Sequence, residues 1–159
     1  MKTVLVINAG SSSIKYQLLN PETGEVLANG LVERIGLKEG NITHEAGKKE
    51  WTLELPIPNH AFGLKKVIEL FDKYGPKLAD ANVVAVGHRV VQGGEKFSRP
   101  VIVNDQVIQD IKDLIPLAPL HNGANATGIE VAREIFPNIA HIAVFDTSFF
   151  HKLPKEVST

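Results

Sequence analysis

Cysteine is absent from the chain, and methionine and tryptophan occur once each. Neither a disulfide framework nor a zinc–thiolate centre is available, so the fold must rest on a packed core. An excess of one charge is missing as well: 17 Lys+Arg stand against 18 Asp+Glu, a formal net charge of −1. That balance gives no basic surface for nucleic acid or anionic membrane. No apolar run approaches the ~20 residues of a membrane-spanning helix. The opening Met1-Lys2-Thr3-Val4 turns straight into a strand-like run. It is too short for a signal-peptide core and has no small-residue cleavage site. These absences predict a cytoplasmic protein. With 159 residues, 43% of them hydrophobic, the expectation is one domain that buries roughly 70% of its unfolded surface.

Alternation and turn chemistry predict three antiparallel strands over 2–8, 14–19 and 25–34, the last two separated by Asn20-Pro21-Glu22-Thr23-Gly24. Residues 40–55 read as a further hairpin, turning at Gly47-Lys48-Lys49, whose bland reading is a decorative insertion. The period then changes. Phe62, Leu64, Val67, Ile68, Phe71 and Tyr74 fall at helical spacing, with Asn59 as cap and Gly75-Pro76 as stop. Val83 to Val91 is nearly all apolar, as a strand covered on both faces would be. Helices come next over about 105–115, capped by Asn104, and about 123–136, capped by Asn122; Ile139 to Phe145 is a last apolar strand. The order βββ, then αβααβ, predicts a mixed sheet flanked by helices.

In such a sheet, functional loops gather where strand ends face a common crevice. The first is Asn8-Ala9-Gly10-Ser11-Ser12-Ser13-Ile14-Lys15. Its small hydroxyl residues, glycine and trailing ammonium suit a polyanion such as a phosphate chain. It lacks the Gly-Lys-Ser/Thr and the helix of a Walker loop, and reads instead as a hairpin tip. Arg89, beside an apolar strand, needs an anionic partner: a bound carboxylate or phosphate, or an internal ion pair with Glu95 or Asp146. Asp146, at a strand end, can hold a metal, orient a nucleophile, take a proton, or simply cap the next element of the chain. His121 stands beside a helix start, and His88 reads as a satisfied core histidine. No spacing of His, Asp or Glu fits a zinc site. A phosphate-binding backbone, two cations and a carboxylate are the parts that phosphoryl transfer requires.

Val4 to Lys15 resembles the opening signature of the acetate kinases, the acetokinase branch of the actin/hexokinase/Hsp70-like phosphotransferases. The resemblance continues through Gly87-His88-Arg89-Val90-Val91-Gln92-Gly93-Gly94-Glu95, then Ala118-Pro119-Leu120-His121-Asn122, and Phe145-Asp146-Thr147. It implies a ribonuclease H-like, actin-like ATPase domain. That fold is α/β, with a mixed five-stranded sheet (three antiparallel strands, then parallel strands), flanking helices and a small hairpin insertion. It also implies Mg²⁺-dependent transfer of the ATP γ-phosphoryl group to acetate, giving acetyl phosphate and ADP. By motif position, Asn8 is similar to the Mg²⁺-associated residue and Lys15 to the residue at the ATP phosphates, with Ser11 and Ser13 shaping the loop. Arg89 is similar to the substrate-binding arginine and Asp146 to the catalytic acid/base. Val91 and Leu120 match residues lining the acyl-methyl pocket, and His121 a histidine near the transferring phosphoryl group.

Gln92, Gly123 and the run Ser148-Phe149-Phe150-His151 depart from the usual pattern. Members of the family carry a second domain with the adenosine site and further transition-state groups, and they are expected to be homodimers. Residues 1–150 then correspond to the N-terminal domain and 151–159 to the start of a connection onward. On this expectation the 159 residues alone have little kinase activity. A propionate kinase and a non-catalytic binding or assembly fragment are the competing readings.

Overall fold

The computed structural model describes residues 1–90, 101–113 and 119–145, with the side chains of 113, 119–125 and 145 left out of the description. The strands are β1 (Thr3–Ala9), β2 (Ile14–Leu19), β3 (Val26–Glu33), β4 (Gly40–Ala46), β5 (Lys49–Leu55), β6 (Val83–Val90), β7 (Val101–Ile102) and β8 (Ala140–Phe145). The helices are α1 (His60–Tyr74), α2 (Asp105–Asp113) and α3 (Pro119–Ile135). All eight strands form one sheet in the order β5-β4-β3-β2-β1-β6-β8-β7. β6 lies parallel to β1 and β8 parallel to β6; the other pairs are antiparallel.

The expected five strands are present as the segment β3-β2-β1-β6-β8, but the sheet is larger. β4 pairs with β3 from Ala28↔Ala46 to Glu33↔Asn41, so the hairpin extends the meander instead of standing apart. Its inward residues explain why: Ile42 and His44 are fully buried, which a detached hairpin could not achieve. At the other edge, β7 adds two residues against Ile142 and Ala143. Such a short strand leaves no periodic trace in the sequence.

Alternation sorts the sheet into two faces. Leu5, Ile7, Ile14, Tyr16, Leu18, Val86 and Val90 are buried on one. Against it lie Leu64, Val67 and Phe71 of α1 and Ala132 of α3. Val107, Ile108 and Ile111 of α2, with Ala126 and Ile129 of α3, continue the core beneath Val90 and Ala143. Each fully buried aliphatic or aromatic side chain contributes about 1.5–3 kcal/mol. Val4, Val6, Asn8, Lys15, Gln17 and Arg89 occupy the opposite, more accessible face.

The helix ends obey the predicted chemistry, with one exception. Asn59 Oδ1 accepts from the Phe62 N–H at 2.8 Å, and Asn104 Oδ1 from the Val107 N–H at 2.8 Å. Gly75, at φ 83°, closes α1 with its N–H on the Phe71 carbonyl. The third helix begins at Pro119, not near 123. Proline suits a first helical position because its missing N–H would have had no partner there. Leu120, His121 and Asn122 are therefore inside the first turn. No helix among the described residues is long and apolar enough to cross a membrane.

Candidate active site

The first loop is a hairpin tip, as its sequence predicts. Ala9 and Ile14 are the last paired residues, and Gly10-Ser11-Ser12-Ser13 closes the turn with the Gly10 N–H on the Ser13 carbonyl at 2.8 Å. Ser11 and Ser12 are exposed, and Ser13 is half-buried. The loop is tied to its surroundings at two points. The Ile35 N–H donates to the Ser12 carbonyl at 2.9 Å, and His60 Nε2 lies 2.7 Å from the Gly10 carbonyl.

Register gathers three of the candidate residues. Asn8 and Lys15 are direct cross-strand partners. Ile7 pairs with His88 on parallel β6, so Asn8 and Arg89, one position further along, share the other face. Val6, Asn8, Lys15, Tyr16, Gln17 and Arg89 line one depression of about 150 Å³. It lies toward the carboxyl ends of β1 and β6, where open α/β sheets bind ligands. Gln17 was not among the expected residues; its place two positions after Lys15, on the same face of β2, is the signal that would have found it.

His88 is a core residue, as read from the sequence. It is 3% exposed, and its Nε2 lies 3.0 Å from His141 Nδ1. His141 Nε2 in turn lies 2.9 Å from the Phe136 carbonyl. A carbonyl only accepts, so His141 carries its hydrogen on Nε2 and receives at Nδ1 the hydrogen that His88 donates. Burial, and then the neighbouring His141, lower the His88 pKa to about 3. Beneath Arg89 there is thus a neutral imidazole pair.

Leu120 and His121 fall in the first turn of α3. That helix passes close under the end of β1, where a Cβ on Gly128 would sit 2.9 Å from the Ala9 Cβ. Val91, Gln92, Glu95, Asp146 and Ser148 to His151 lie outside the described residues, as do 151–159.

The donor set can be tested against a hydrated magnesium ion. Mg²⁺ usually keeps several waters and binds through one or two protein oxygens plus substrate phosphates. A single amide oxygen at Asn8, facing Lys15, fits an ion that arrives with a phosphate chain. Among the described residues, no cluster of three or more His, Cys, Asp or Glu is placed to hold a metal by itself.

A three-stranded meander running into parallel strands over a one-sided helical layer, with a polar loop at the strand ends, places the molecule in the actin-like α/β class. The sequence model of the Acetokinase family matches residues 3–159, and the chain belongs to that family. It is 50% identical over all 159 residues to the acetate kinase of Clavibacter sepedonicus, covering 40% of that protein. With the acetate kinase of Maridesulfovibrio salexigens it shares 54% over 149 residues, 37% of that protein. Among solved structures, Porphyromonas gingivalis acetate kinase matches with a TM-score of 0.87 at 41% identity, over 96% of this chain and 39% of the other. A propionate kinase from Francisella tularensis matches at 0.86 and 37%, over 96% and 38%. The chain spans about 40% of the length of the relatives it matches.

Proposed function

We propose that this chain forms one wall of the active site of a Mg²⁺-dependent acetate kinase. In that reaction an acetate carboxylate oxygen takes the γ-phosphoryl group of ATP while the β–γ bridging oxygen leaves with ADP, and the reverse step regenerates ATP. The observation that carries the reading is the placement of Asn8, Lys15 and Arg89 around one depression on the accessible face of the sheet. The planar fork of Arg89 suits the carboxylate of acetate or the phosphate of acetyl phosphate. Lys15 is a point charge for the nucleotide phosphates, with Ser11 and Ser13 beside it. Asn8 would hold the hydrated Mg²⁺, which supplies charge neutralisation at the phosphates when bound.

In this reading Asp146 takes the acid/base role, and motif position assigns Val91 and Leu120 to the acyl-methyl pocket and His121 to the phosphoryl group. Residues 1–150 form the N-terminal lobe, with 151–159 leading toward the remainder that the longer relatives possess. Cytoplasmic residence and a homodimer of the full protein go with the same reading.

Isothermal titration with acetyl phosphate and with Mg–ATP tests it. Removing a charge-assisted contact costs ~1.5–3 kcal/mol, so Arg89→Ala is expected to weaken acetyl phosphate by roughly tenfold or more. Equal binding by wild type and variant sinks the assignment. In a hexokinase-coupled assay with acetyl phosphate and ADP, the 159 residues are expected to turn over poorly, because the developing charge is surrounded from one side only. Near-normal turnover would refute that. The similarity to a propionate kinase favours a second reading, a longer acyl chain. Propionyl phosphate binding tighter than acetyl phosphate would select it, since a methylene is worth ~1–3 kcal/mol. Binding of neither ligand would leave a non-catalytic module.

A further inference from the structure

The His60–Gly10 bond joins two residues 50 positions apart. His60 is the first residue of α1, and Asn59, which caps that helix, fixes where the imidazole starts. The reach depends on how closely α1 approaches the sheet at its first turn. A Cβ on Gly63 would lie 3.3 Å from Val32 Cγ1, 3.4 Å from Ile57 Cγ2 and 3.7 Å from Ile14 Cδ1. Ile14 is the residue on which the hairpin loop ends. Asn59, His60 and Gly63 thus dock the start of α1 against the loop.

The Gly10 carbonyl shares one rigid peptide plane with the Ser11 N–H. In a trans peptide the two point in opposite directions. His60 Nε2 must be the donor, because a carbonyl has no hydrogen to give. Fixing the carbonyl on α1 therefore fixes the direction of the exposed Ser11 amide. A free peptide could flip, presenting an oxygen where an anion needs a hydrogen.

We propose that His60 is a positioning residue that sets the direction of the Ser11 N–H toward an incoming phosphate. The inference rests on the phosphoryl-transfer reading above, and it concerns a residue that acts through the backbone and never touches substrate.

The test uses the full ¹⁵N-labelled chain, titrated with Mg–ATP and monitored at the Gly10 to Ser13 amides. His60→Phe keeps a ring but removes the donor; His60→Gln keeps a donor of similar reach. Losing one hydrogen bond, His60→Phe is expected to weaken Mg–ATP by roughly 3- to 10-fold and to shift or broaden the Ser11 amide resonance before any ligand is added. Its Tm is expected to fall by no more than the ~2–4 °C that one lost hydrogen bond costs. His60→Gln is expected to restore both readouts. Gly63→Ala, whose Cβ would crowd Val32 Cγ1 at 3.3 Å, is expected to weaken Mg–ATP less than His60→Phe does, with His60 intact. If His60→Phe binds like wild type with an unmoved Ser11 amide, the proposal is overturned. It also falls if affinity drops only in step with Tm and glutamine does not rescue it. Wild type that shows no saturable response at these amides would defeat the phosphoryl-transfer reading instead; the ligand-free Ser11 resonance then decides the tether on its own.

Discussion

His44 and His88 are both buried imidazoles, one in the antiparallel half of the sheet and one in the parallel half. His44 Nε2–H donates to the Gly75 carbonyl at 2.9 Å, and its Nδ1 accepts from the Tyr16 hydroxyl at 2.6 Å. Both partners are neutral, and burial raises the Tyr16 pKa further. His88 uses the same tautomer pattern, but its partner is a second titratable ring, His141, before the relay ends on the Phe136 carbonyl. The antiparallel relay is a strut whose neighbours hold no charge. The parallel one is a pair of bases that repel once both are protonated, directly under the strand carrying Arg89. Burial lowers the pKa of both rings; the second base adds to that at His88, whereas the Gly75 bond offsets part of it at His44.

The largest test breaks the first relay by crowding. A Cβ on Gly30 would sit 2.3 Å from Tyr16 Oη and 2.4 Å from the Thr43 carbonyl. Gly30→Val is therefore expected to cost about 3 kcal/mol or more in urea unfolding. A loss under ~1 kcal/mol would mean that the relay moves aside cheaply.

Acid sharpens the contrast. Burial lowers the pKa of His44, partly opposed by the Gly75 bond. Burial also lowers His141, opposed by the Phe136 bond and reinforced by Arg133; His88 falls to about 3. An unfolded histidine titrates near 6.5. Below that value the unfolded chain binds more protons than the native one, so this stability is complete above about 6.5 and drains as pH falls toward 3. His88 alone is expected to remove about 2 kcal/mol between pH 7 and pH 5. His88→Gln, which keeps a donor for His141 but does not titrate, should flatten that slope in urea midpoints measured at the two pH values. An unchanged slope would place the acid sensitivity elsewhere.

The smallest expected effect is that of Tyr16→Phe, which removes one neutral hydrogen bond to His44 Nδ1 and is expected to cost about 1 kcal/mol with little change in the acid slope. A steeper slope in that variant would show that the two relays are less different than their partners suggest.

Local chemistry made much of this readable in sequence. The three-strand meander, the capped α1 and the hairpin-tip loop each depend on neighbours within a few residues, and each formed as expected. The features that escaped reading depend on partners far along the chain. His44 sits in Asn41-Ile42-Thr43-His44-Glu45, a run polar enough to pass for a surface hairpin, and its burial comes from Tyr16, Phe71 and Gly75, all far along the chain. His60 looks like an ordinary first-turn residue until Gly10 is placed beside it. Within the site, Asn8, Lys15 and Arg89 were nameable by type and motif. That they share a face needed the Ile7↔His88 register, because a one-residue slip would send Arg89 to the opposite side.

Trp51, the only tryptophan in the chain, stacks on Tyr74 with ring centroids 4.4 Å apart and planes 16° apart. This stack joins β5 to the end of α1, and three strands separate β5 from β1. The molecule thereby carries its own optical gauge. Its emission is expected to register the hairpin parting from α1 and to change little on anion binding at the first loop, so it can follow unfolding on an unlabelled sample.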